Sequence, residues 1–320
     1  MDQSGQDEFA EKKRLVRTRL MIWVVIGVLI GTAPLFALNG RYGAFLFVTV
    51  PFSTGFCASL LKSLKREHRL REFMFMLIFP AVALLFFFLV LGKEGFICIL
   101  MATPIVIGFM TLGLVFGYLV QQKVYSKYLA LLFVFALNSC TLIYDARNSD
   151  FKVSTVESEI IIHSDKEKVW EQLIHHFEFG SSGNFFLAHG ISYPVAMEMK
   201  NINGCNSLFC KYSNGNIIAN IDTLIPGELM HFSFHEAPVS MKETSLYSTV
   251  EPKHIRGKIL VDYGSFRIVP IGNGDVKVIA TSQFRNSLGP HFYWEQWERY
   301  LLNQIHQHVL QKIKEKVEVQ

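Results

Sequence analysis

The residues best suited to chemistry in this chain are its histidines, a few carboxylates and two cysteines. The stretch HFSFHE (231–236) offers His231, His235 and Glu236, a donor set of the kind that holds a divalent metal. On a strand, however, His231 and His235 share a face about 13 Å apart at ~3.3 Å per residue, and Glu236 points the other way. One ion cannot bridge that gap without a bend, so no metal is expected. These histidines read as structural or solvent-facing, with one of them turned towards a ligand as the alternative. His306 and His308 lie two apart in a helical stretch and diverge. His306 borders the apolar stripe and reads as a group that orients the helix. His175 and His176 close a shorter helix, where a cation suits the last carbonyls. Scattered acid–base candidates are Glu159, Tyr193, His231 and Arg267. No Ser-His-Asp order, nucleophile-elbow pattern, phosphate loop or Cys-x-x-Cys pair occurs, so no catalytic residue is singled out and no cofactor is expected, although scattered acid–base groups leave an enzyme open. Cys205 and Cys210 lack the second ligand pair of a zinc site. They flank a hairpin turn, either as free thiols or, outside the cytoplasm, as a disulfide.

What must position such groups is a set of short strands between two helices. STVESEIIIHS (154–164) reads as a strand. DKEKVWEQLIHHF (165–177) reads as a helix, with Asp165 as its cap and Val169, Trp170, Leu173 and Phe177 on its apolar side. From about 195 to 284, alternating runs are broken by turn signals such as Asn203-Gly204, Asn214-Gly215 and Pro226-Gly227, which predicts antiparallel hairpins. The stretch from His291 carries Trp294, Trp297, Leu301, Ile305, Val309 and Ile313 at three- and four-residue intervals, one apolar stripe on a long helix. A curved sheet closed by such a helix leaves room for a cavity. GSSGNFFLAHGISYP (180–194) reads as its mouth loop.

Residues 155–317 resemble the START-like or polyketide-cyclase superfamily, the helix-grip fold. VESEIIIHSDKEKVWEQLIHHFEF is similar to its opening strand and helix, and NIIANIDTLIPGELMHFSFHEAP to its central strands. The run from YGSFRIVPIGNGDVKVIA to the end resembles the closing strands and helix of a branch in which the domain follows membrane spans. There Pro290, Tyr293, Trp294, Trp297, Ile305, His306, Val309, Leu310 and Ile313 stand in matching positions. NGCNSLFCKY departs from the Gly-x-Gly turn followed by Arg that relatives carry. The resemblance implies a domain over 155–318 and a cavity for a hydrophobic ligand, with no particular reaction. Candidate lining residues are Phe186, Tyr193, His231, Phe234, Phe266, Arg267, Trp294, Trp297, Leu301 and Ile305.

The first half is of another kind. Leu20–Leu38, Tyr42–Leu61, Phe73–Leu91, Phe96–Val120 and Tyr128–Tyr144 are apolar and hold no Asp, Glu, Lys, Arg or His. Their lengths predict an all-α bundle of about five transmembrane helices over 20–144, after a flank at 1–19 and before a linker at 145–154. The missing charges disfavour a transporter. Lys12, Lys13, Arg14, Arg17, Arg19, Lys62, Lys65, Arg66, Arg69, Arg71, Lys123 and Lys127 fall on one side, against Arg41 and Lys93 on the other. That bias puts the amino terminus in the cytoplasm, and five crossings then put the carboxyl-terminal domain on the extracytoplasmic side of the cell (inner) membrane. Gly27-x3-Gly31 and Gly113-x3-Gly117 allow close helix contact, within the chain or in a homo-oligomer.

Charge divides at the same boundary: 14 Lys and Arg against 7 Asp and Glu in residues 1–144, then 17 against 20 in 145–320. The overall +4 therefore belongs to the membrane flanks, and nucleic acid is excluded as a partner. The expected function is membrane-anchored, non-catalytic binding of a lipid or other hydrophobic molecule. The alternatives are a cyclase- or hydrolase-like enzyme acting on a membrane-soluble substrate, or an interaction protein with a collapsed cavity.

Overall fold

The computed structural model describes residue 16 and residues 19–33, 42–61, 69–91, 95–121, 127–148, 150–202, 205–234, 240–245, 248–250, 259–272 and 274–319. The chain divides into two units, Met1–Ser149 and Asp150–Gln320. His235, Glu236, the Asn203-Gly204 turn, Arg41, Lys93 and most of the loop lysines lie outside the described residues.

The first unit is helical: α1 Arg19–Ala33, a π-helical turn Phe45–Thr49 running into α2 Val50–Leu61, α3 Arg69–Leu91, α4 Phe96–Gln121 and α5 Lys127–Arg147. Glycine decides its tightest contact. A Cβ on Gly55 of α2 would stand 2.0 Å from the Met110 carbonyl oxygen of α4, and one on Gly113 would stand 1.9 Å from that of Phe52. With Gly117 against Ser59, the Gly113-x3-Gly117 pair therefore serves close packing of α4 on α2. Gly27 and Gly31 have nothing within 4 Å of their Cβ positions. The Asp145 carboxylate of α5 accepts from the backbone N–H of Ala44 at 3.1 Å and of Phe45 at 2.7 Å, filling donors that a helix start leaves open.

Among the described residues, two of the expected five spans stand. Phe96–Val120 and Tyr128–Arg147 are long and apolar enough to cross a membrane. Among the described residues the other apolar stretches are shorter: Arg19–Ala33, Phe45–Leu61 and Met74–Phe87. The longest of these described stretches, Phe45–Leu61, covers roughly 25 Å at ~1.5 Å per residue, against ~30 Å of hydrocarbon.

The second unit begins earlier than expected. Helix α5 runs past Tyr144, and β1 starts at Lys152. An eight-stranded antiparallel sheet follows the order β1-β10-β9-β6-β5-β4-β3-β2. Its strands are β1 Lys152–Ile162, β2 Phe177–Glu178, β3 Pro194–Ile202, β4 Cys205–Tyr212, β5 Gly215–Ile225, β6 Leu229–Phe234, β9 Ile259–Gly272 and β10 Asp275–Asn286. A separate hairpin pairs β7 Glu243–Ser245 with β8 Ser248–Val250. Helix α6 is Lys166–Ile174, α7 is Phe185–Ala188 and α8 is His291–Val319. Asp165 takes the cap position of α6, as its sequence predicts, but its side chain makes no capping bond.

Curvature has local causes. Register shifts leave an extra residue on β5 between Ile221 and Thr223, and on β9 at Asp262 opposite Gln283 and Phe284; such bulges bend a strand. A Cβ on Gly264 would lie 2.6 Å from the Phe232 ring, so the ring rests on bare β9 backbone. Alternation sends Met230 and Phe232 of β6, Phe266 and Ile268 of β9, and Val276, Val278 and Ala280 of β10 into one core with Val309, Leu310, Ile313 and Val317 of α8. Helix α8 packs chiefly along β1, and side-chain bonds pin it there. Glu295 accepts from Ser154, Arg299 donates to the Thr155 carbonyl, Lys314 donates to that of Ile161, and Glu318 accepts from the His163 N–H.

Candidate functional site

The buried row of α8 is the part of the molecule where chemistry and apolar packing meet. It runs Trp294, Glu298, His306, Val309, Leu310, Ile313 and Val317. Steps of four dominate this row, as an α-helix facing one surface requires. Two of its members are ionisable and buried, each 7% exposed.

His306 sits between two strands. Its Nδ1 is 3.0 Å from Ser158 Oγ of β1, and its Nε2 is 2.8 Å from Ser282 Oγ of β10. Ser158 also donates to Asn303 Oδ1 at 2.8 Å. That bond uses the only proton on Ser158, so His306 Nδ1 must be the donor to its oxygen. Nε2 is then the acceptor and takes the Ser282 proton. The hydroxyl–imidazole–hydroxyl–amide chain therefore has one direction. Burial lowers the His306 pKa to about 4, which keeps the ring neutral and this pattern intact.

Glu298 lies two turns earlier. Asn286 at the end of β10 donates through Nδ2 to Glu298 Oε2, while the Asn286 Oδ1 accepts from the Leu288 N–H at 3.0 Å. Glu298 Oε1 is buried and has no partner among the described residues. Burial raises this carboxyl to about 8; the Asn286 bond opposes the shift and the charge of Glu295 adds to it. Glu298 is thus protonated below about pH 8. Phe284, Leu288 and Trp294 are buried at the same end of the domain.

A second group covers the opposite side of α8. Asn184 accepts from the N–H groups of Phe186 and Leu187, starting α7, and donates to Gln304 at 2.9 Å. Phe186 meets Trp297 and Tyr300 edge-on at 5.5 and 5.8 Å between centroids. Tyr193 stands edge-on to His308 at 5.2 Å, and its hydroxyl accepts from the Ser182 N–H. The segment read as a mouth loop is therefore folded onto the closing helix.

The structure separates the sequence candidates into three sets. Trp294, Phe266 and Phe234 face the interior, the last half-buried against the core. Phe186 and Tyr193 belong to the loop, with Trp297, Leu301 and Ile305 half-buried on α8 beside the buried row. His231 and Arg267, expected to line a cavity, face away from the interior. Met230 and Phe232 point inward, so His231 points outward, where its Nδ1 lies 3.2 Å from Asp222 Oδ2 and its ring 4.8 Å from that of Tyr263. Arg267 is exposed between inward Phe266 and Ile268. Glu159 pairs with Lys277 at 3.1 Å, also outside. His175 ends α6, and its backbone N–H closes the last turn on Glu171; His176 is 3.5 Å from Glu178. Cys205 and Cys210 do not flank a turn but lie on one strand, β4, and Cys210 is a free, buried thiol. Among the described residues no group of three metal-ligating side chains forms.

Glu298, Asn286, Ser158, Ser282 and Asn303 were missed by sequence reasoning. The available signal was periodicity: counting back in fours from Leu310 reaches His306 and Glu298.

No family model matches the sequence, and no curated protein matches it. Solved structures similar to it include a protein from Nitrosospira multiformis, 14% identical with a TM-score of 0.32, the match covering 51% of this chain and 96% of that one. Another is norcoclaurine synthase from Thalictrum flavum in complex with dopamine and hydroxybenzaldehyde, at 10% identity and a TM-score of 0.33, covering 53% and 90%. A third is the di-domain ARO/CYC BexL of the BE-7585A biosynthetic pathway, at 10% and 0.32, covering 52% of this chain and 46% of that one. The curled antiparallel sheet, eight strands closed by a carboxyl-terminal helix, fits the helix-grip fold.

Proposed function

We propose that residues 150–320 are a membrane-tethered module that takes up a hydrophobic molecule between the curved sheet and α8. The observation that carries this reading is Glu298: a neutral carboxyl, buried in an apolar interior, with one oxygen left unpartnered. Burying such an oxygen costs about 1–3 kcal/mol, and a ligand that meets it recovers that cost. Half-buried Ile221, Leu224 and Phe234, packed against the core, offer apolar surface for the rest of the ligand.

Supporting the tether, Phe96–Val120 and Tyr128–Arg147 have the length and composition to cross a bilayer. Phe75, Phe135 and Leu132 are 67%, 72% and 64% exposed, a pattern suited to lipid and unsuited to water. Lys123 lies before α5 and Lys127 opens it, and under the positive-inside rule such lysines favour a cytoplasmic position for that end, with the domain on the other side. Protease protection of a tag at residue 320 in inverted vesicles tests the orientation.

The function is tested by extracting the full chain in mild detergent and identifying co-purifying lipids by mass spectrometry, with thermal shifts against an amphiphile panel. A specific lipid or a saturable shift is expected; the absence of both removes the reading. One observation favours a second reading, catalysis by Glu298, since a carboxyl titrating near 8 suits proton transfer at ordinary pH. A bell-shaped rate profile lost in Glu298→Gln would establish it.

A further inference from the structure

We infer that Glu298 is the polar anchor of the interior site, donating its acid proton from Oε1 to an uncharged ligand's acceptor oxygen, as in an ester, ketone or alcohol. This rests on the binding reading above and sharpens it to a ligand class. The inference follows from the order of donors and acceptors. The Leu288 N–H donates to Asn286 Oδ1, which fixes the orientation of that amide and turns Nδ2 towards Glu298. Glu298 Oε2 is therefore an acceptor. In the neutral acid the proton then belongs on Oε1, the atom with no partner, and a donor without an acceptor calls for a ligand lone pair.

Charge at the site agrees. Among the described residues the charged group that acts on Glu298 is Glu295, one turn earlier on the same helix; β10 contributes the neutral Asn286, and the nearby Ser154 and Lys152 of β1 engage Glu295. No cation among these reaches Glu298 to favour its ionised form. A ligand carboxylate would meet a second acid and repulsion from Glu295, so free fatty acids are disfavoured. An amine would convert the site into a buried ion pair, which must offset the desolvation of two charges.

The test uses the full chain in detergent and four probes of one chain length: methyl palmitate, palmitate, hexadecylamine and hexadecane. Binding is read by quenching of tryptophan fluorescence, with Trp294 one turn from Glu298 as the near reporter and Trp294→Phe as its control. Methyl palmitate should bind most tightly. Glu298→Gln keeps an N–H donor and should hold its affinity within about threefold, whereas Glu298→Ala should lose roughly tenfold for the ester and nothing for hexadecane. Because Glu298→Ala alters a buried site, a second measurement uses the native protein: the infrared carbonyl band of bound methyl palmitate should move to lower frequency. An unshifted band, or equal ester affinity in Glu298→Ala, overturns the anchor while leaving the binding site standing. Preference for hexadecylamine, lost in Glu298→Gln, overturns it in favour of an ion pair. Failure of all four probes to bind overturns the binding reading, and the anchor with it.

Discussion

The two buried ionisable groups on α8 make a specific demand on stability as a function of pH. Glu298 titrates at about 8 folded against a reference of 4.5, so between those values the folded unit holds a proton that the unfolded chain has released. Stability from this group is complete below 4.5 and declines as pH rises through 8. His306 titrates at about 4 folded against 6.5, so between those values the unfolded chain holds the extra proton. Its contribution is complete above 6.5 and declines as pH falls through 4. From pH 4.5 to 6.5 these two slopes are equal and opposite and cancel. From 6.5 to 8 only Glu298 acts, at ~1.4 kcal/mol per pH unit, for a loss of about 2 kcal/mol. Glu298→Gln should abolish that alkaline decline and, with nothing left to cancel His306, expose an acid decline of about 3 kcal/mol between 6.5 and 4. Pulse proteolysis in urea, reading the carboxyl-terminal unit of the detergent-solubilised chain, measures both arms. An alkaline limb of the same slope in the variant, or stability rising from 6.5 to 8 in the parent, would refute the reasoning.

The other predictions concern packing. Gly264→Ala forces a Cβ to within 2.6 Å of the Phe232 ring, and should cost about 1–3 kcal/mol in urea unfolding of the soluble unit. In the helical unit, Gly55→Ala should lower the melting temperature by pushing α2 off the Met110 carbonyl, whereas Gly27→Ala, with nothing within 4 Å, should leave it unchanged. Asp145→Ala removes two backbone N–H contacts at the start of the π-helical turn and should cost about 1 kcal/mol, seen as faster hydrogen exchange at Ala44 and Phe45. Burial pushes the Cys210 thiol to about 12, so maleimide should label it only after unfolding.

Much of the soluble unit was legible because its signals are local. Turn glycines, alternating runs and a long amphipathic end specify antiparallel strands and one closing helix. The face each element presents was less legible. On α8 the eye follows Trp297, Leu301 and Ile305, yet the buried row passes through Glu298 and His306, because helical geometry selects positions regardless of residue type. His231 shows the converse: its neighbours Met230 and Phe232 already assigned the inward face of β6, and a histidine between them had to point out. Of the five apolar runs, two stand among the described residues as helices long and apolar enough to cross, because a run of apolar residues does not mark where its helix begins and ends. No local rule could find Ser158 or Ser282, whose partner lies on an element more than twenty residues away.

The two polar contacts on the buried row also explain each other. His306 meets Ser282 and Glu298 meets Asn286, so helix and strand run in opposite directions with two matched rungs. Eight residues of helix at ~1.5 Å span about 12 Å, and four residues of strand at ~3.3 Å span about 13 Å. Agreement within about 1 Å lets both rungs form without strain, whereas a slip of one helical residue turns the row by ~100° and breaks both. Apolar contacts alone are non-directional and tolerate such a slip, with Trp297 or Leu301 replacing Trp294 against the sheet. The imidazole between two serines therefore fixes the rotation of α8, and that rotation presents the Glu298 acid to the interior. The rotation that His306 sets is the one that buries Glu298 beside Asn286.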